Sequence, residues 1–189
     1  MNTTTAHVSI PKLGEHVNGD AVVVRNTSPD GCLFAVIDGL GHGPAAAEAS
    51  RAAVSCLARA ELQAPLLTHM KTLHAELRGT RGAAATVCIV RDRQLEACAV
   101  GNVQLSAAAA DVPLVLSSGV LGLRVAKFRV CEASIDRGAR IAMFSDGISS
   151  KFRLDDCRHL SAQAACELTI ERFRKREDDA TILIVDLEP

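Results

Sequence analysis

Residues 32–47 read CLFAVIDGLGHGPAAA. The run CLFAVI has the length and β-forming character of a strand, and Asp38 stands where it meets a glycine-rich loop. Pro44 suits the first position of a helix, and Ala, Glu and Arg dominate as far as Gln63, which predicts a helix over 44–63. Just upstream, AVVVR at 21–25 is a second β run, and NTSPDG at 26–31 is a turn signal, so the two runs form a hairpin.

Working outward, residues 65–78 read as a second helix. From Ala83 the texture changes to TVCIV, LEACAV, VQLSA, PLVLS, AKFRV and RIAMFS, strand-length runs broken by short polar or glycine-containing turns. A further helix follows over 160–174, then a buried terminal strand over 180–187, ATILIVDL. Most of these connections are too short for parallel crossovers, so the sheets should be antiparallel. The expected fold class is α+β: two antiparallel β-sheets packed as a sandwich, with helices on both outer faces, in one domain spanning 1–189.

The composition narrows the function. Basic and acidic side chains number 21 and 22, a net charge of −1, which argues against a protein devoted to gripping nucleic-acid phosphates. With five Phe and no Trp or Tyr, stacking platforms for single strands are hard to assemble. No apolar run approaches the ~20 residues of a spanning helix. The start, MNTTTAHVSIPK, lacks a signal-peptide layout, so the expected location is the cytoplasm, with no membrane partner. The seven cysteines, an odd number without a Cys-x-x-Cys pair, fit a reducing compartment and read as small core residues. His69, His74 and His159 lack partners at ligand spacing and are expected at the surface.

Asp20, Asp38, Asp146, and the pair Asp178 and Asp179 all stand where an apolar strand meets a polar or glycine-containing turn. In a two-sheet fold they can converge at one edge. Two carboxylates ~4 Å apart repel by about 4 kcal/mol at an effective dielectric of about 20, so such a cluster calls for divalent cations or shifted pKa values. An oxygen-only donor set favours Mg²⁺ or Mn²⁺ over zinc.

Gly19-Asp20, Asp38-Gly39-Leu40-Gly41-His42-Gly43, Phe144-Ser145-Asp146-Gly147 and Asp178-Asp179-Ala180-Thr181 occur in an order and spacing that resembles the metal-dependent serine/threonine protein phosphatases, the PPM or type 2C superfamily. The likeness runs from about residue 16 to 186. The compact length and the Asp-Gly-Leu-Gly-His-Gly form resemble the bacterial SpoIIE-type branch, and within it the stressosome phosphatases. The resemblance implies two Mn²⁺ or Mg²⁺ ions, Asp38 bridging them, the Gly39 carbonyl on one, Asp146 and Asp178 completing the set, and Asp20 holding metal-bound water. It implies hydrolysis of phosphoserine or phosphothreonine by metal-activated water, on STAS-type regulators or stressosome scaffold proteins in bacterial stress signalling. The small stand-alone form is consistent with a monomer. Asn102 places an amide where larger members have a carboxylate for a third metal. His42 is a further candidate catalytic residue, although the family's acid stands immediately after the Asp-Gly pair, where this chain has Leu40.

Two other classes compete. A phosphoprotein-binding module without turnover would share the fold. Gly41-His42-Gly43-Pro44-Ala45-Ala46 also fits Gly-x-Gly-x-x-Ala, the fingerprint of a dinucleotide-binding loop, which requires a parallel strand to follow the helix.

Overall fold

The computed structural model describes residues 3–27 and 31–187. Its elements are β1 (Thr3–Ile10), β2 (Asp20–Asn26), β3 (Cys32–Gly39), α1 (Pro44–Ala58), α2 (Leu66–Glu76), β4 (Ala83–Arg91), β5 (Gln94–Val100), β6 (Gln104–Ala108), β7 (Leu116–Ser117), β8 (Gly119–Val120), β9 (Arg124–Val125), β10 (Val130–Ser134), β11 (Arg140–Phe144), α3 (Ala162–Phe173) and β12 (Ala180–Leu187), with a 3₁₀ turn at Leu154–Cys157. One sheet runs β1-β12-β11-β6 and the other β10-β5-β4-β3-β2, all antiparallel, with β7 added parallel to β5 and β8 and β9 forming a separate ribbon. The sandwich and its antiparallel sheets match the expectation from sequence.

Period-two alternation in β3 explains the layering. Leu33, Ala35 and Ile37 face α1 and α2, packing with Leu57, Leu66, Met70 and Leu73. Phe34 and Val36 face the second sheet and meet Ile141, Met143, Leu183 and Val185. A strand buried on both faces must read as an unbroken apolar run, as CLFAVI does. On the far side, α3 and the turn after β11 bury Phe144, Phe152, Ala165, Cys166, Ile182 and Ile184 in a third cluster. Fully burying one Leu of these layers is worth about 2–3 kcal/mol. Small residues of α1 (Ala46, Ala49, Ala53) lie against the sheet at zero exposure, which lets the helix approach closely.

Several expectations need correction. The first helix stops at Ala58, not Gln63, because Arg59 closes it and Arg25 of β2 donates to the Leu57 carbonyl at 3.1 Å and to that of Ala60. The run 113–117 contributes only Leu116–Ser117, since Pro113 has no N–H for a ladder. Residues 126–129 are not a strand; Phe128 turns its ring edge-on to His74 of α2, and β10 begins at Val130. The Thr-rich start, unassigned from sequence, pairs along its whole length with β12, from Thr3↔Leu187 to Ile10↔Ala180. The Pro-Asp part of the expected 26–31 turn lies outside the described residues, while the hairpin itself is formed from Asp20↔Asp38 to Asn26↔Cys32. His69 is buried, its Nε2 hydrogen-bonded to the Glu61 carbonyl at 2.9 Å, and His74 Nδ1 accepts from Gly122 N–H. The seven cysteines are free, and all but Cys131 are buried. Among the described residues no helix is long and apolar enough to cross a membrane.

Candidate active site

The alternation that sends Phe34 and Val36 between the sheets sends Asp38 the same way, at the open end of the sandwich. Its cross-strand partner is Asp20, the first residue of β2. Asp146 follows β11 in the second sheet, and Asp178 immediately precedes β12. A cleft of about 430 Å³ opens there, lined by Asp38, Asp146, Asp178, Leu40, Gly41, His42 and Asn102 among others. The fold therefore brings Asp38, Asp146, Asp178 and His42 to one cavity, and Asp20 lies buried behind it.

Hydrogen bonds fix this acidic end. Asp20 Oδ2 accepts from Ser145 Oγ at 2.6 Å, and Asp20 N–H donates to Asn18 Oδ1 at 2.9 Å. Ser145 Oγ also accepts from Thr181 N–H at 3.0 Å, so one hydroxyl ties the two sheets together directly behind the carboxylates. Asp146 Oδ2 accepts from the Asn102 amide at 2.6 Å, and Lys175 Nζ donates to the Asp146 carbonyl at 2.6 Å. Asp179 is turned away from the cleft. Its carboxylate accepts from the N–H groups of Lys12 at 2.8 Å and Gly19 at 3.0 Å, clamping the chain before β2. Within the acidic pair the division is thus geometric: Asp178 lines the cavity and Asp179 holds the backbone.

Gly39 sits under the first turn of α1, where a Cβ would lie 2.2 Å from the Ala46 carbonyl oxygen; no other residue fits that contact. His42 Nδ1 lies 2.8 Å from Glu15 Oε1 at the lip of the cleft, both side chains being solvent-accessible.

The electrostatics are strained. Burial, reinforced by the charges of Asp20, Asp146, Asp178 and Asp179, pushes the Asp38 carboxyl up to about 8. Burial likewise pushes Asp20 up to about 7 against the lowering effect of Ser145 and Thr181. Asp178 is raised by burial and then by Asp146. Among the described residues no three His, Cys, Asp or Glu side chains close on a single point as a ready-made metal cluster. The carboxylates instead ring the cleft. A hard cation that keeps several waters needs only one or two of them directly, so an all-oxygen, mutually repelling ring fits divalent ions spread across the cavity.

Sequence reading missed several supporting residues. Ser145 follows Ile141 and Met143 at period two and so points between the sheets, a signal the pattern carried. Glu15 and Lys175 gave none, since their partners are remote in the chain. The dinucleotide alternative fails on topology: α1 leads into α2, and β4 returns antiparallel to β3.

A sandwich of this topology with an acidic cleft between the ends of its sheets defines a PPM-type phosphatase domain. The chain belongs to the SpoIIE family, described as stage II sporulation protein E, whose family model matches residues 28–188. A structure from work on the bacterial stressosome as a modular system adapted to control secondary messenger signaling is similar at 28% identity and TM-score 0.90, over 98% of this chain and 100% of that one. RsbX in complex with magnesium shares 22% identity at TM-score 0.85, over 98% and 96% of the two chains. The catalytic domain of the serine/threonine protein phosphatase PstP in complex with two manganese ions shares 16% at TM-score 0.76, over 99% of each chain. No curated protein sequence matches this chain.

Proposed function

We propose that this chain is a metal-dependent protein serine/threonine phosphatase that removes phosphate from regulatory phosphoproteins of the STAS type or from stressosome scaffold proteins, as a cytoplasmic monomer in bacterial stress signalling. The observation that carries the reading is the ring of Asp20, Asp38, Asp146 and Asp178, with burial and like charge driving Asp38 and Asp20 far above an ordinary carboxylate. Similarity to RsbX and to the stressosome structure supports the substrate class.

Asp38, the Gly39 carbonyl, Asp146 and Asp178 would hold two Mn²⁺ or Mg²⁺ ions, with Asp20 adjoining them. When bound, such ions activate water near neutral pH and offset the charge of phosphoryl oxygens. The rest of the work falls to the chain. Ser145 holds the Asp20 carboxyl in place, and the Asn102 amide fixes the orientation of Asp146. Asp179 keeps Lys12 and Gly19 in position, so the backbone leading into Asp20 is rigid. His42 lines the cleft with Nδ1 committed to Glu15, which leaves Nε2 as the nitrogen able to hold or move a proton.

The test is phosphate release from a phosphoserine-bearing STAS-type regulator with Mn²⁺, with Mg²⁺ and with EDTA. Turnover should require the metal and stop on chelation. Full activity in a verified metal-free preparation would overturn the reading, and metal-loaded protein that binds the regulator without releasing phosphate would identify a silent binding module.

A further inference from the structure

The rim of the cleft carries a cation that the catalytic ring does not use. β3 and β4 pair as far as Gly39↔Ala83, and Leu40 N–H still donates to the Gly82 carbonyl at 3.0 Å, so the ladder's extension places Arg81 opposite Gly41. Gly41 has a φ of +88°, and a Cβ built on it would lie 3.3 Å from Cζ and from both terminal nitrogens of Arg81. Equal distances to three atoms mean that the guanidinium lies flat across the loop. Glycine here both accepts the left-handed backbone and leaves room for that plane.

Among the described residues nothing hydrogen-bonds or ion-pairs with the Arg81 guanidinium, and the residue is exposed. Three other basic groups at this end of the sandwich are engaged: His42 with Glu15, Lys175 with the Asp146 carbonyl, and Arg174 with the Pro11 carbonyl at 2.6 Å. Apolar side chains flank Arg81. A Cβ on Gly82 would lie 2.7 Å from Val120 Cγ1 and 3.3 Å from Leu123 Cγ, while Leu123 is 57% and Leu40 46% exposed.

Position decides what this cation can read. Arg81 does not line the cleft where Asp38, Asp146 and Asp178 face a phosphoryl group; Leu40, Gly41 and His42 stand there instead. Gly41 lines the cleft and the guanidinium lies across it, so Arg81 stands beside the phosphoryl site rather than within it. In an extended substrate the side chain two residues from the phosphorylated one points the same way and lies roughly 7 Å further along the chain, a reach that carries it from the cleft onto this rim. We propose that Arg81 selects substrates by binding an acidic side chain two residues from the phosphoserine or phosphothreonine, with Leu40 and Leu123 packing against the intervening chain. The planar guanidinium presents a fork of donors that matches a carboxylate bidentately. This assignment rests on the phosphatase reading and names its sequence preference.

The test uses two labelled phosphoserine peptides, identical except for Asp or Lys at the positions two before and two after the phosphoserine. Binding to Mn²⁺-loaded protein is read by fluorescence anisotropy and, in parallel, by phosphate release. Wild-type protein should bind the Asp peptide about fivefold more tightly than the Lys peptide at low salt, with the gap narrowing at high salt. Arg81→Glu should reverse the order, and Arg81→Lys should keep part of the preference. Equal binding of both peptides by wild type, binding of neither, or a preference unchanged in Arg81→Glu overturns the assignment. If the preference and its reversal appear without phosphate release, the rim stands and the phosphatase reading falls. If release proceeds with no dependence on Arg81, the reverse holds.

Discussion

Replacing Asp38 by Asn should stabilise the metal-free protein at neutral and alkaline pH. In the wild type the Asp38 carboxyl is pushed from 3.8 up to about 8, first by burial and then by Asp20, Asp146, Asp178 and Asp179. A carboxyl that binds its proton more tightly in the folded state leaves the fold with its full contribution only at low pH. Stability then falls as pH rises above the unfolded value, and the loss is complete once pH passes the folded one. Each pH unit in that window is worth about 1.4 kcal/mol per group, so the span from pH 5 to 8 is worth at most about 4 kcal/mol. Solvent at the mouth of the cleft screens the repulsion, and we expect about half of that, or about 2 kcal/mol. For a chain of this size this is a fall of roughly 4–8 °C in Tm. Asp38→Asn removes the charge while keeping the shape, so its Tm should fall less over the same range, the remaining fall coming from Asp20, which burial still holds at about 7, and should exceed that of wild type at pH 8. Thermal melts followed by circular dichroism in EDTA at pH 5, 6, 7 and 8 measure both curves. Adding Mn²⁺ should reverse the order at pH 8, because the wild type gains stability by binding and the variant gains less. A wild-type Tm that climbs between pH 5 and 8 in chelator, or a variant curve parallel to it, would refute the argument that Asp38 sits in an unneutralised carboxylate ring.

Asp146→Asn should lower turnover by about 100- to 1000-fold, in the range of losing a group that stabilises transition-state charge, with an unchanged circular dichroism spectrum; a folded variant keeping a tenth of wild-type activity contradicts its place in the ring. His42→Ala should cost less than the ~100-fold often seen for a general acid or base, since its register differs from that of the family's acid. A larger drop in kcat with Mn²⁺ affinity unchanged, measured by calorimetry, would instead make His42 the proton donor. Gly147→Ala should destabilise the fold by about 3 kcal/mol in urea titrations, because the new Cβ would lie 1.9 Å from the Asp179 carbonyl oxygen, a backbone atom that cannot swing away. A loss below about 1 kcal/mol would mean that the Asp146 loop and the Asp178–Asp179 segment are not held against each other.

The amino-acid order by itself determined the sandwich. The unbroken apolar run of β3, the short turns between the strands after Ala83 and the Ala-rich stretch from Pro44 follow from local periodicity and turn chemistry, which need no knowledge of distant partners. It also put each acidic candidate at a strand end, and the family resemblance chose among them. Where local signals were weak or contradictory the tertiary structure decided. The Thr-rich β1 exists because β12 offers it a full ladder, and α1 ends early because Arg25, distant in sequence, takes the Leu57 carbonyl in its last turn and the Ala60 carbonyl just beyond it. Sequence could not say that Asp178 faces the cleft while Asp179 clamps Lys12 and Gly19, that Ser145 binds Asp20 across the sandwich, or that Arg81 lies over Gly41. Each is a contact between segments remote in the chain. The strand pattern fixes which face a side chain takes, but only the packing of one sheet end against the other fixes what it meets there, and burial within that packing raises Asp20, Asp38 and Asp178.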